Sequence, residues 1–490
     1  MADPLLLAVD QGTTGTTCLL VAMPGGEILA RAHREVAIHH PAPGWVEQDP
    51  EELVASVLAA AAEVLAAGEP AALGIANQRE TVVLFDRRTL EPVHAAIVWQ
   101  DRRTAALCQA HRQAGEEPEL RRRTGLLLDP YFSATKIEWL LREHPELRRR
   151  AEAGELCAAT VDTWLMARIC GGTVLATDPS NASRTLLYDL SRGDFDPELC
   201  AAFGIPVALL PAVAPSAGRL GFTDPAAFLG RRLPVSGVAG DQQAALFGQA
   251  CIRPGMSKNT YGTGCFVLVN VGEQPVQPGH GLLTTVAWRV GGRDTFALEG
   301  SIFVTGAALR WLRDGLGLIE RVEEVGPLFD SVPDTHGCIF VPALAGLGAP
   351  YWDAEARGAF LGLTAGVTRA HLARAVVESM AYRTRDVVEA MESASGIALT
   401  ELRADGGASV MDGLCQFQAD LLGIPVARAA SAEATALGAA WLAGVGEGLV
   451  DGPEAAAAWR PGRRFEPVTP GKRPEDSYRR WLEAVGRVRG

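Results

Sequence analysis

Lysine is almost missing from this chain. Of its 45 Lys and Arg side chains only Lys136, Lys258 and Lys472 are lysine. Genome composition accounts for that bias more cheaply than function, with thermostability a weaker second explanation. Paired cysteines are missing too. The 9 cysteines are scattered, with no C-x-x-C spacing, which excludes a disulfide framework or zinc ribbon and indicates reduced thiols in a cytoplasmic protein. No stretch approaches about eighteen uninterrupted apolar residues, so no membrane span is expected. The start, "MADPLLLAV", lacks a basic n-region and has too short an apolar run for a signal peptide. Excess positive charge is absent: the formal net charge is −13, which argues against a general nucleic-acid or anionic-membrane surface. A nucleotide is still allowed, because a phosphate needs only local backbone N–H groups and a metal. There is no G-x-x-x-x-G-K-[ST] motif and no H-R-D/D-F-G pair, which excludes P-loop and protein-kinase machinery.

What is present is a globular α/β pattern. Apolar residues make up 48% and charged residues 21% of the 490 positions, so the chain supports two large cores rather than one. "LLLAV" and "CLLVAM" are short β-type runs joined by the tight "QGTTG". "QDPEELVASVLAAAAEVLAAGEP" predicts a helix with Asp49 as N-cap, Pro50 at N1, Glu52 at N3 and Gly68 beyond its end. "ALGIAN" and "AAIVW" predict strands. "DRRTAALCQAHRQAG", "TKIEWLLREHPELRRR" and "VDTWLMARI" predict helices. Near the middle the pattern restarts: "SKNTYGTGCFVLVN" is again strand, Gly-Thr-Gly turn, strand. Helical patterns follow at "GAALRWLRDGLGL" and "RAHLARAVVESMAYRTRDVVEAMESASG". A third glycine turn, "RADGGASVMDGLCQF", closes the strand "TELRA" and opens a helix. Two related halves are therefore expected, 1–250 and 251–490, with mixed sheets and a peripheral tail over the last forty residues.

The turns suggest chemistry. A glycine turn lets a ligand approach the main chain, and successive N–H groups there bind anions. Thr13 and Thr14 add hydroxyl donors. Asp10 would repel phosphate unless Mg²⁺ lies between them, as phosphoryl transfer requires. Taken alone, the same residues equally describe an ordinary hairpin with an exposed Asp. A second Gly-Thr hairpin at the equivalent place makes a pair of phosphate clamps across a cleft the stronger interpretation. The pair Arg79–Glu80, ending an apolar strand, sits where α/β folds place ligands.

These turns, in order, resemble the sugar-kinase/actin/Hsp70 superfamily. "YFSATKIEWLLRE" (131–143) and "GAFLGLTAGVTRAHLARAVVE" (358–378) are similar to the two signatures of the FGGY carbohydrate kinases. "NQRET", "IVWQDRRT", "DPYFSATK", "TDPSNASRTLLYDL" and "VAGDQQAALFGQ" resemble the branch that phosphorylates glycerol. The resemblance spans roughly residues 5 to 445. It implies two actin-like (ribonuclease H-like) domains around an ATP/substrate cleft, with ATP and Mg²⁺ as cofactors. It implies transfer to glycerol, with other polyols or sugars (dihydroxyacetone, xylulose, gluconate) or a non-catalytic nucleotide-binding protein as alternatives. By that resemblance Arg79, Glu80, Trp99, Tyr131, Asp241, Gln242 and Phe266 contact the polyol, and Asp241 is the general base. Trp99 and Phe266 also fit as plain core aromatics, and Asp241 as a cap for the helix "QQAALFGQ". Thr13, Thr14, Thr263, Gly306, Arg310, Gly407 and Met411 fall at nucleotide positions, and Asp10 at the metal.

Some positions depart from the pattern. Thr17 stands where relatives often carry a phosphate-facing arginine, Met411 where they carry an asparagine, and Arg310 where they carry a glutamine. No histidine lies between His144 and His280, so activation by histidine phosphorylation before the "AGDQQ" motif is not expected. The resemblance also implies a homodimer or homotetramer, glycerol and ATP as the small-molecule partners, and a cytoplasmic location.

Overall fold

The computed structural model describes residues 3–279, 281–450 and 459–489. Its frame is two mixed sheets. The first has six strands in the order Ala217–Phe222, Pro234–Gly240, Ala72–Asn77, Leu5–Gln11, Gly15–Ala22, Glu27–Glu35. The second has seven, in the order Leu283–Val290, Arg293–Ile302, Cys265–Gly272, Met256–Tyr261, Glu401–Asp405, Val426–Ala429, Pro461–Phe465.

All six strands of the first sheet have a counterpart, with the same sense of pairing, in the second. Leu5–Gln11 pairs antiparallel with Gly15–Ala22 and parallel with Ala72–Asn77. Met256–Tyr261 likewise pairs antiparallel with Cys265–Gly272 and parallel with Glu401–Asp405. The repeat that was faint in sequence is plain in topology. Both hairpins close glycine to glycine, the second one residue shorter: the Gly12 N–H donates to the Gly15 carbonyl at 2.9 Å, and the Gly262 N–H to the Gly264 carbonyl at 2.9 Å.

Leu5–Gln11 is apolar on both faces because both are covered. Leu7 and Val9 pack with Leu53 and Val57 of the helix Pro50–Val64, and Leu6 and Ala8 with Ala439 and Ala440 of the helix Ala434–Gly446. The second helix comes from the far end of the chain, so the first sheet is completed by residues beyond 251. Glycine permits the approach. A Cβ on Gly74 would run into the Ala439 carbonyl oxygen, and one on Gly237 into the Ala443 amide.

Most predicted elements form. Asp49 caps Pro50–Val64, its side chain accepting from the Glu51 N–H at 2.9 Å. Glu52 does not return to the cap; it accepts from the Ala37 N–H at 3.0 Å. The helix expected over "TKIEWLLREHPELRRR" is two, Ser133–Glu143 and Pro145–Glu152, because His144 precedes a proline and leaves the helical region with ψ 83°. "AAIVW" yields only the two-residue strand Ala96–Ile97. "DRRTAALCQAHRQAG" becomes helical at Ala105, because Asp101 instead bonds the Val46 N–H and the Arg103 side chain.

The expected peripheral tail is corrected. Pro461–Phe465 is the edge strand of the second sheet, and Glu475–Val488 is a helix that buries Tyr478 and Trp481. Both side chains donate to the Asp386 carboxylate, Tyr478 Oη at 2.8 Å and Trp481 Nε1 at 3.0 Å, within the helix Arg369–Ser395. Residues 451–458 and 490 of that tail lie outside the described residues. Among the described residues no helix is long and apolar enough to cross a membrane.

Candidate functional site

The two hairpins, the end of the strand Ala72–Asn77 and the start of the helix Asp241–Gly248 carry the residues singled out in the sequence. Gly240, not Asp241, is the N-cap of that helix. The Asp241 carboxylate therefore serves only the next residue, accepting from the Gln242 N–H at 2.6 Å, and pairs with Arg79 Nε at 3.1 Å. Both contacts use Oδ1; among the described residues no hydrogen bond is made to Oδ2. Asp241 thus has a fixed orientation and one oxygen left to accept a proton.

Arg79 is the hub. Its Nη1 pairs with Glu299 Oε2 at 2.5 Å, and its guanidinium carbon lies 5.9 Å from the centre of the Phe266 ring. Tyr131 Oη is 3.5 Å from Arg79 Nη2, and Tyr131 meets Trp99 edge-on at 5.6 Å. Trp99 Nε1 donates to Thr13 Oγ1 at 2.8 Å, so the aromatic wall is tied to the tip of the first hairpin. Trp99, Tyr131 and Phe266 are all half-buried, the last two packing against the edges of the hydrophobic core. Glu80 turns away from Arg79. It adopts φ 62°, uncommon for a residue with a Cβ, and its Oε1 accepts from Arg184 Nε at 2.6 Å.

Arg184 and Glu299 escaped the sequence reading. Arg184 Nη2 donates to Glu299 Oε1 at 2.8 Å, so Glu80, Arg184, Glu299 and Arg79 form a continuous chain of alternating charges, all buried. Burial acts to raise the Glu299 carboxyl, but Arg184 and Arg79 outweigh it and hold it at about 2. Burial raises Glu80 despite Arg184. The signal for Glu299 was a single acid inside the apolar run "FALEGSI" of the strand Arg293–Ile302, a costly placement without a partner. Lys136 was missed as well. Buried, it donates to the carbonyls of Pro130 at 2.6 Å and Tyr131 at 2.7 Å, fixing the turn that presents Tyr131.

Of the residues expected at the nucleotide, Thr14 and Thr263 are exposed at the hairpin tips and Thr13 is half-buried. The helix Gly306–Asp314 begins against the second tip, where the Gly306 N–H donates to the Gly262 carbonyl at 3.0 Å. A Cβ on Gly306 would stand 2.5 Å from that oxygen. Arg310 Nη2 donates to Thr263 Oγ1 at 3.0 Å. Gly406, at φ +84°, turns the chain over Tyr261, whereas a Cβ on Gly407 would meet nothing within 4 Å. Bare backbone there faces open space, which suits a flat base or a ribose. Met411 is half-buried and packs against the core of the second half. Thr17 is buried and bonded to His33 Nδ1 at 3.0 Å, so it does not extend toward the cleft as an arginine would.

Asp10 is half-buried at the end of Leu5–Gln11. Burial, then the Asp241 and Glu433 carboxylates, push it up to about 8. Such a crowd of acids favours a bound cation. Among the described residues no group of three or more His, Cys, Asp or Glu could hold a metal.

The chain belongs to the FGGY family of carbohydrate kinases. The family's N-terminal domain matches residues 5–248 and its C-terminal domain residues 257–447. Among its relatives, the glycerol kinase of Thermus brockianus is 54% identical over 490 residues, covering 99% of this chain and 98% of the relative. The solved Plasmodium falciparum glycerol kinase with ADP superposes with a TM-score of 0.94 at 32% identity, covering 99% of this chain and 98% of the other. The xylulose kinase of Rhodospirillum rubrum shares the fold at a TM-score of 0.87 and 25% identity, over 99% of this chain and 98% of the other.

Proposed function

We propose that this chain transfers the γ-phosphoryl group of ATP to a terminal hydroxyl of glycerol, giving glycerol 3-phosphate. The observation that carries this is Asp241 held by Arg79 beside Trp99, Tyr131 and Phe266, with Gly-Thr hairpins from both sheets nearby. The glycerol kinases it resembles along its whole length support glycerol over a larger sugar.

Asp241 Oδ2 accepts the hydroxyl proton as that oxygen attacks phosphorus. In a loose transition state the proton leaves late, so orientation matters more than base strength. The Arg79 pair supplies that orientation. Arg79, Glu80, Gln242 and Tyr131 offer the donors and acceptors for the polyol oxygens, and Trp99 and Phe266 cover its carbon backbone. Thr13, Thr14 and Thr263 donate to phosphate oxygens, with Gly306, Arg310, Gly407 and Met411 around the rest of the nucleotide. Asp10 would help hold the Mg²⁺ that enters with ATP, and the ion would supply neutralisation of phosphate charge. A homodimer or homotetramer belongs to the same proposal and rests on the resemblance alone; a cytoplasmic location belongs to it too and rests also on the scattered cysteines.

The test is ADP release with Mg·ATP and glycerol, dihydroxyacetone, xylulose or gluconate in parallel, with Asp241→Asn as control. Glycerol should lead, and the variant should lose at least about a hundredfold in kcat, the scale of general-base catalysis. A lead by xylulose or gluconate would overturn the substrate and leave the fold intact.

A further inference from the structure

On the surface this chain uses arginine almost wherever a basic residue stands, yet two of its three lysines are wholly buried, at 0% exposure. Inside a protein the two residues are not interchangeable. An ammonium is a compact cluster of three donors, a guanidinium a larger planar fork. Lys136 holds the Tyr131 turn. Lys258 has no part in the chemistry above.

Lys258 lies on Met256–Tyr261, the first strand of the second hairpin. Its Nζ donates to Thr260 Oγ1 on the same strand at 2.8 Å and to Gln242 Oε1. Gln242 follows Asp241 on the helix that leaves the other sheet. Asp405, at the third glycine turn, and Asp241 are the opposite charges that act most strongly on the ammonium. One buried cation therefore ties the residue beside the base to the second phosphate hairpin.

We propose that Lys258 is a positioning residue for the polyol: it fixes the Gln242 amide so that Nε2 faces the substrate as a donor, which rests on the placement of Gln242 at glycerol. The reason is an asymmetry of donors. An ammonium has no acceptor, so it bonds only the oxygen end of an amide. A free glutamine amide presents either end. Flipped, its carbonyl would compete with Asp241 for hydroxyl protons. Pinned by Lys258, Gln242 donates to a hydroxyl oxygen lone pair while Asp241 takes the proton. Because Thr260 holds the same ammonium, the orientation of the polyol contact depends on the second hairpin being in place.

Steady-state kinetics separate the roles, with glycerol varied at saturating Mg·ATP and ATP varied at saturating glycerol. Gln242→Leu should raise the glycerol KM by about tenfold, one hydrogen bond near a charge. Gln242→Glu keeps a partner for Lys258 but offers only acceptors, and should raise that KM as far. Lys258→Met should raise it about tenfold with the ATP KM within about twofold, and add nothing to Gln242→Leu. A wild-type glycerol KM in Gln242→Glu, or additive effects in the double variant, would overturn the role of Lys258. An unchanged KM in Gln242→Leu would remove Gln242 from the substrate, and the role of Lys258 with it, while glycerol turnover by the wild type still stands. Thermal melting checks that Lys258→Met folds; if it does not, Gln242→Glu decides alone.

Discussion

Four charges govern the floor of the site. Arg79 and Arg184 are buried with Glu80 and Glu299, and each pair spans a large part of the chain: Arg79 meets Glu299 across 220 positions. Removing one partner leaves an uncompensated buried charge. Glu299→Gln should therefore cost about 3–5 kcal/mol in urea unfolding. The pH dependence has a definite sign. Glu299 is held at about 2 in the folded protein, against an ordinary value of 4.5. Its stabilisation is complete above about pH 4.5 and is lost as pH falls toward about 2. Melting curves between about pH 3 and pH 7 should show a shallower acid limb in Glu299→Gln than in the wild type. An equal acid limb in both would show that the pair does not control it. Arg79 and Glu80 were legible in sequence because they end an apolar strand. Arg184 and Glu299 were not, because nothing near them in the chain shows which charge they meet.

At the scale of elements, close backbone approach places the helix that carries Asp241. Gly438, in Ala434–Gly446, lies against Asp241–Gly248, and a Cβ on it would run into the Ala244 carbonyl oxygen. That oxygen belongs to backbone and cannot rotate away. Gly438→Ala should destabilise by about 1–3 kcal/mol through overpacking. Because the displaced helix carries Asp241, kcat for glycerol should also fall, while ATP binding changes little. Full activity together with wild-type stability would show that the two helices separate without consequence. Caps and turns were readable because their residues are adjacent: Asp49 and Pro50 mark their helix without any distant partner. The split at His144 was missed although its cause is equally local, a proline following it. That Ala434–Gly446 covers the first sheet was not readable, because an alanine-rich helix is compatible with many surfaces.

At the scale of the molecule, the C-terminal segment is structural. Trp481 is buried, stacks on Tyr382 with ring centres 5.2 Å apart, and bonds Asp386, which also pairs with Arg383 at 2.6 Å. Trp481→Ala should lower stability by about 3–5 kcal/mol, measured by urea or thermal unfolding. A peripheral tail would instead give a change within about 0.5 kcal/mol. The segment looked peripheral because it is rich in proline, glycine and arginine. Composition does not reveal that one strand extends a sheet and one aromatic pair reaches a buried carboxylate.

The sequence by itself determined what depends on neighbours a few residues apart: the hairpins with their glycine tips, the capped helices, and the repeat of a Gly-Thr turn in each half. Tertiary structure alone decided which charges meet. Arg79 with Glu299, Lys258 with Gln242 and Trp481 with Asp386 each join residues from separate elements, so their pairing exists only once the sheets and helices have packed. The physical reason is burial: in water each of these groups is solvated wherever it lies, and only the folded interior makes a particular partner necessary.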